Sequence, residues 1–230
     1  MFLSKLTLDA RDQLVRRDLA RPYQMHRTLM DSYPYARVEN RCDLLFRLEP
    51  PRHGPPVVLV QTRNDPGEWP GLPHGYLLRK PESKSLDLPI TVGQRLRFRL
   101  RANPTKRVAA KNQRLGAVMV GKRVGLTTEA EQLRWLLRKG ERGGFGIPGE
   151  WVDARDPKTS EPIQLPNFRV DVVPEGRYRN SKPGCDGAFI AVRFDGVLVV
   201  TDPALFRVAV ENGIGSGKAF GFGLLSVAPI

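Results

Sequence analysis

Cysteine and histidine are scarce in this chain. Its two cysteines, Cys42 and Cys185, lie far apart with no CxxC spacing. That excludes a disulfide framework and a cysteine-based zinc site, and it suits a reducing compartment. The three histidines, His26, His53 and His74, show no ligand spacing, and no carboxylate cluster marks a two-metal nuclease centre. Any chemistry is therefore expected to need neither metal nor cofactor. No run of 18 apolar residues occurs, so no membrane span is expected. The N-terminus has no basic stretch leading into an apolar core, so no secretory signal is expected, and the expected location is cytoplasmic. Acidic residues are also in the minority, 24 against 37 Lys and Arg, for a net charge of +13. This is the footprint of a protein that meets phosphates, with a merely solvated basic surface as the alternative. Arginine outnumbers lysine 27 to 10, which favours bidentate phosphate and guanine contacts.

What the chain has in excess is glycine near its end. Residues 211–230 place Gly213, Gly215, Gly217, Gly221 and Gly223 around Lys218, with Phe220 and Phe222 interleaved. Such density lets backbone N–H groups approach a ligand, and the lysine implies an anion. A nucleotide P-loop does not fit. It requires glycine where Asn212 stands, Ser or Thr where Ala219 stands, and a following helix. Phe220 to Val227 is instead strand-like, which also excludes a dinucleotide fingerprint.

The remaining pattern predicts two α+β domains, residues 1–90 and 91–230. Residues 2–8 alternate as a strand, Asp9 is a candidate cap for the helix that follows, and Pro22 suits the first turn of a helix over 22–32. Strands are expected at 43–49 and 56–62, and a Pro/Gly-rich stretch from Asp65 to Pro89 contains the connection to the second half. Arg95 to Arg101 alternates strictly, with Leu96, Phe98 and Leu100 toward a core and four arginines on the other face, expected to form a phosphate track. Thr128 and Glu131 form a capping box for the next helix. Strands follow near 168–173 and 187–200, and Asp202-Pro203 opens a helix that Gly213 ends. The order β-α-β-β-α-β, expected once in each half, is that of tandem ferredoxin-like (RRM-like) domains, each an antiparallel sheet with two helices.

The best catalytic candidates lie in Pro22-Tyr23-Gln24-Met25-His26-Arg27. Tyr23, His26 and Arg27, at i, i+3 and i+4, share a helix face, while Met25 and Leu29 turn to the core. RNA cleavage by its own 2′-hydroxyl needs a base, an acid for the leaving oxygen and a cation beside the phosphorane, and these three supply those types. A structural histidine is the plain alternative.

With Arg101-Ala102-Asn103-Pro104-Thr105-Lys106-Arg107, Gly121-Lys122-Arg123-Val124 and Gly213 to Leu225, that block resembles the CasE family, the endoribonuclease subunit of the type I-E CRISPR complex Cascade. The resemblance implies two ferredoxin-like domains that cleave CRISPR repeat RNA at the 3′ base of its stem-loop. The expected ends are a 5′-hydroxyl and a 2′,3′-cyclic phosphate, with the product kept bound beside other Cascade subunits. It makes His26 the main acid/base and Tyr23 its helper. Some relatives carry a further basic residue one turn on, where this chain has Met30 and Asp31, and Arg27 is the substitute for charge stabilisation. Expected RNA contacts are Lys106, Arg107, Lys122 and Arg123; Gly213, Gly215, Gly217 and Lys218; and a basic hairpin turning at Pro174-Glu175-Gly176 with Arg177, Arg179 and Lys182. A non-catalytic RNA-binding subunit is the alternative function. The glycine-rich tail is expected in the domain without the histidine.

Overall fold

The computed structural model describes residues 1–35, 44–49, 54–87, 89–108, 123–156, 159–179 and 188–230. Lys122 and Lys182 lie outside them. The chain forms two compact units. The first comprises Met1–Pro89, Arg179–Gly187 and Val208–Leu225, and the second Ile90–Tyr178, Ala188–Arg207 and Ser226–Ile230.

The first unit runs β1 (Phe2–Thr7), α1 (Gln13–Ala20), α2 (Pro22–Ser32), β2 (Leu44–Glu49), β3 (Val57–Thr62) and β4 (Glu82–Ser85). Its sheet has the order β2-β3-β1-β4. Strand β3 is antiparallel to both β1 and β2, the split βαβ arrangement of ferredoxin-like folds. The core joins Leu6, Leu44, Phe46, Val58 and Val60 of the sheet to Val15, Met25 and Leu29 of the helices. The cap of α1 is Asp12, whose carboxylate accepts the Val15 N–H at 3.0 Å. Asp9 does not cap it, because its carboxylate is taken by the backbone N–H and guanidinium of Arg11. Between β3 and β4 the chain is irregular and anchored by fully buried Trp69 and Tyr76. Tyr76 donates its hydroxyl to buried Asp18 at 2.9 Å, so this segment packs against the helical layer without forming a helix.

The second unit runs β5 (Arg95–Ala102), β6 (Thr105–Arg107), β7 (Arg123–Gly125), α3 (Glu129–Arg142), β8 (Phe145–Gly146), β9 (Gly149–Arg155), β10 (Pro162–Phe168), β11 (Val170–Arg179) and β12 (Ala188–Val200). Helix α4 (Pro203–Asn212) and β13 (Leu225–Pro229) complete the chain. The sheet order is β11-β12-β5-β13, with β8 pairing the end of β12. The sequence β13-β5-β12-β8 repeats the fourth-first-third-second order of the first sheet. The two-stranded ladders β6-β7 and β9-β10 stand outside it.

Three expectations change here. Pro174, Glu175 and Gly176 do not form a turn; they continue β11, where the Glu175 carboxylate accepts from Arg101 at 2.6 Å and Arg193 at 3.4 Å. The arginine face of β5 is not an open phosphate track, because Arg99 binds Asp195 at 2.6 Å and Arg101 is nine-tenths buried on Glu175. The alternation of β5 did place Leu96, Phe98 and Leu100 in the core, but it could not show which acids the facing strands present. Residues 220–227 are also not one strand: Lys218–Phe220 is a 3-10 turn and the strand begins at Leu225.

Candidate active site and nucleic-acid interface

Helix α2 starts at Pro22, where a missing N–H costs nothing, and its Met25 and Leu29 are 2 % and 1 % exposed in the core. That orientation leaves Tyr23 and His26 half-buried on a neighbouring face and Arg27 exposed. The His26 Nδ1 atom is buried without a hydrogen-bond partner among the described residues. Burial also pushes the imidazole pKa below its ordinary value, so the ring is neutral near pH 7. A neutral imidazole is chemically able to accept a proton through its unprotonated ring nitrogen.

The glycine-rich segment lies beside this helix, in the first unit and not apart from the histidine as expected. Phe220 stacks on Tyr23 with ring centroids 5.6 Å apart and planes 27° apart. Tyr23 and His26 are 6.4 Å apart, and His26 lies 6.2 Å from Phe46 with nearly parallel planes. Gly221 touches the other end of this column: a Cβ there would sit 3.1 Å from Cε2 of Phe46. Chain order suggested otherwise because the segment follows Ala188–Arg207 of the second unit, while Val208–Leu225 belongs to the first.

All five glycines of the loop have positive φ: Gly213 at 72°, Gly215 at 87°, Gly217 at 82°, Gly221 at 76° and Gly223 at 94°. Left-handed residues alternating with others can turn N–H groups toward one side; here the N–H groups of Gly213, Ile214, Phe220 and Gly221 donate to backbone carbonyls, and Gly215, Gly217 and Lys218 lie between them. The loop is closed at its base by the Ile214 N–H donating to the Gly223 carbonyl at 2.8 Å. Two buried polar side chains hold its ends. Gln61 on β3 donates to the carbonyl of Val210 at 2.8 Å, and Arg47 on β2 donates to that of Leu224 at 3.3 Å. Arg47 keeps its charge balanced by Glu49 at 2.6 Å. Because β2 ends its sheet among the described residues, the segment meets it on both faces: Gly213 against Leu45, and Gly221 against Phe46.

In the second unit, Arg107 and Arg123 stand directly opposite in the β6-β7 ladder, both exposed. Like charges so placed repel, and an anion between them relieves the repulsion. Lys106 instead pairs with Glu131 at 2.7 Å, and its ammonium holds the Glu131 carboxyl below the usual range. Arg177 is exposed on β11, whose last residue is Arg179. The β9-β10 hairpin, which ends its first strand on exposed Arg155, was not foreseen. Nor were Phe46, Arg47 and Gln61, although a lone polar residue inside each of the apolar runs Leu-Leu-Phe-Arg-Leu and Val-Val-Leu-Val-Gln was a signal for the last two.

A family described as CRISPR associated protein matches residues 1–229. The chain belongs to the CasE family of CRISPR-associated proteins. It is 43 % identical over its whole length to the CRISPR-associated endoribonuclease Cse3 of Thermus thermophilus, itself fully covered. It is 33 % identical, again end to end in both chains, to the Cascade subunit CasE of Escherichia coli. A solved structure of the Thermus thermophilus Cse3 bound to an RNA representing a pre-cleavage complex superposes with a TM-score of 0.81, at 41 % identity, covering 99 % of this chain and 98 % of that one. The CasE fold of two ferredoxin-like domains thus accounts for both sheets. Among the described residues, no helix of this CasE-family chain is long and apolar enough to cross a membrane.

Proposed function

We infer that this protein is an endoribonuclease that binds the stem-loop of CRISPR repeat RNA, cuts at its 3′ base and stays on the product as a Cascade subunit, acting in the cytoplasm. The observation that carries the chemistry is the half-buried His26 ring beside Tyr23, on a helix flanked by the glycine-rich loop and Lys218. His26 takes the proton of the 2′-hydroxyl next to the scissile phosphate. The 2′-oxygen bonds to phosphorus, and the bond to the 5′-oxygen breaks. That oxygen leaves as a 5′-hydroxyl after receiving a proton from Tyr23 or from the imidazolium, and a 2′,3′-cyclic phosphate remains. No metal enters these steps.

Exposed Arg27 offers its charge to the phosphorane, one residue along the helix from His26. The segment Gly213, Gly215 and Gly217, with Lys218, holds the RNA backbone, the N–H groups around Gly215 and Gly217 serving as donors while those of Gly213 and Ile214 close the loop. Lys106, Arg107, Lys122 and Arg123 contact phosphates of the stem, as do Arg177 and Arg179. The β6-β7 ladder, which stands outside the main sheet and sets Arg107 opposite Arg123, takes the groove-facing role expected of residues 174–176.

The deciding experiment uses the cognate repeat hairpin with a single 2′-deoxy nucleotide 5′ of the cut. The expected result is undiminished binding and no cleavage, while the all-ribose hairpin is cut equally well with or without EDTA. Cleavage of the deoxy substrate would mean that water is the nucleophile and overturn the mechanism.

A further inference from the structure

The rings around His26 form a column whose two ends are both met by the glycine-rich loop. At one end Phe220 stacks on Tyr23 at 5.6 Å, and Tyr23 lies beside His26. At the other, Phe46 stacks on His26 at 15° and is touched by the backbone of Gly221. Phe220 and Gly221 are consecutive, so one short stretch of the loop clasps Tyr23, His26 and Phe46 together. Both flanking residues of the 3-10 turn are left-handed glycines, Gly217 at 82° and Gly221 at 76°, which fixes the direction in which Phe220 projects. The loop's ends are themselves tied to the sheet by Gln61 and Arg47. The acid/base pair and the loop are thus one packed assembly.

We propose that Phe220 and Phe46 are positioning residues for cleavage: clasped by the glycine-rich loop, they hold the Tyr23 and His26 rings in the geometry that the reaction needs. This rests on the assignment of His26 as acid/base. Tyr23 and His26 project from a helix whose N-terminus has no side-chain cap, and stacking from both sides restricts rings that the helix alone leaves free to turn. Misplacing a catalytic group by about 1 Å can cost on the order of a hundredfold in rate. RNA seated on the N–H groups of the loop therefore bears on catalysis through Phe220, beyond its share in binding.

The test measures single-turnover cleavage of the repeat hairpin by the full chain at saturating protein, together with affinity for the hairpin carrying one 2′-deoxy nucleotide at the cut. Phe220→Leu is expected to lower the saturating rate constant roughly tenfold or more, with affinity within about twofold of the parent. Phe220→Tyr, which keeps a stacking ring, is expected to recover most of the rate, and Phe46→Leu to reproduce the loss. Binding of the deoxy hairpin doubles as the check on folding. If Phe220→Leu fails it, the flexible Phe220→Met takes its place, since its volume is similar but it does not stack. An unchanged rate constant, or a rate loss matched by an equal loss of affinity, overturns the proposal. His26→Gln run in parallel separates the two levels. An active His26→Gln removes the acid/base assignment itself, whereas an inactive one beside a fully active Phe220→Leu removes the positioning role alone.

Discussion

Helices α2 and α3 occupy the same place in two sheets of the same strand order, the first crossover of each unit, yet they are built differently. Helix α3 has a Thr128 cap whose hydroxyl accepts the Glu131 N–H at 3.3 Å, acidic Glu129 and Glu131 at its start, and basic Lys139 and Arg142 at its end. Its closing Gly143 donates back to the carbonyls of Lys139 and Gly140. Each of these features favours a helix on its own. Helix α2 begins after Arg21 with no side-chain cap, and it has neither an acid in its first turn nor a base in its last. Its polar positions go to Tyr23, His26 and Arg27. The first crossover helix carries the proposed catalytic residues and is held by its surroundings; the second holds itself.

Substitutions in the two helices should therefore fail in different ways. The largest effect belongs to His26→Gln, expected to lower the single-turnover rate constant by about 10²–10⁴-fold. The denaturant midpoint should change little, because the unpaired Nδ1 and the ring contacts with Phe46 and Tyr23 are lost together. A rate near the parent's would end the contrast. Next comes Thr128→Ala in α3, expected to cost about 1 kcal/mol of stability while leaving the rate constant of the folded protein unchanged. A changed rate with an unchanged midpoint would reverse the roles of the two helices.

The smallest effect concerns pH. Burial lowers the His26 pKa below the ordinary 6.5, so the native ring refuses a proton that the unfolded chain accepts. Below pH 6.5 the unfolded state then binds more protons, and stability falls as pH falls through the window between 6.5 and the native pKa. In the parent, kcat/KM should hold its plateau to below pH 6.5 before its acid limb descends. In His26→Gln, this part of the acid destabilisation should disappear. An acid limb at or above 6.5 would mean that the ring is not kept neutral by burial.

Much of this was legible from local pattern. Pro22 fixed where α2 starts, the Leu96–Phe98–Leu100 alternation fixed which face of β5 is buried, and Thr128 with Glu131 fixed the start of α3. The cap of α1 was not legible: Arg11 engages the expected Asp9, and Asp12, three residues on, takes its place. The pairing of Arg99 and Arg101 escaped for a broader reason: Asp195 and Glu175 lie on other strands, and strand register is a property of the folded sheet. The candidate site was visible in the sequence as residue types sharing a helix face, and not as an assembly. Tyr23 and His26 share a helix spacing, but nothing local places Phe220 against Tyr23 across nearly the whole length of the chain.

The five left-handed glycines also bear on the unfolded chain. Each leaves that chain with more conformations than an alanine would, a handicap of roughly 0.5–1 kcal/mol apiece that folding must overcome. Where a glycine has negative φ, replacing it by alanine can stabilise a protein. Here every one has φ between 72° and 94°, where a side chain is strained, so that route is closed. A stretch that looks like slack in the sequence is, once folded, a stiff piece of backbone whose shape only glycine can take.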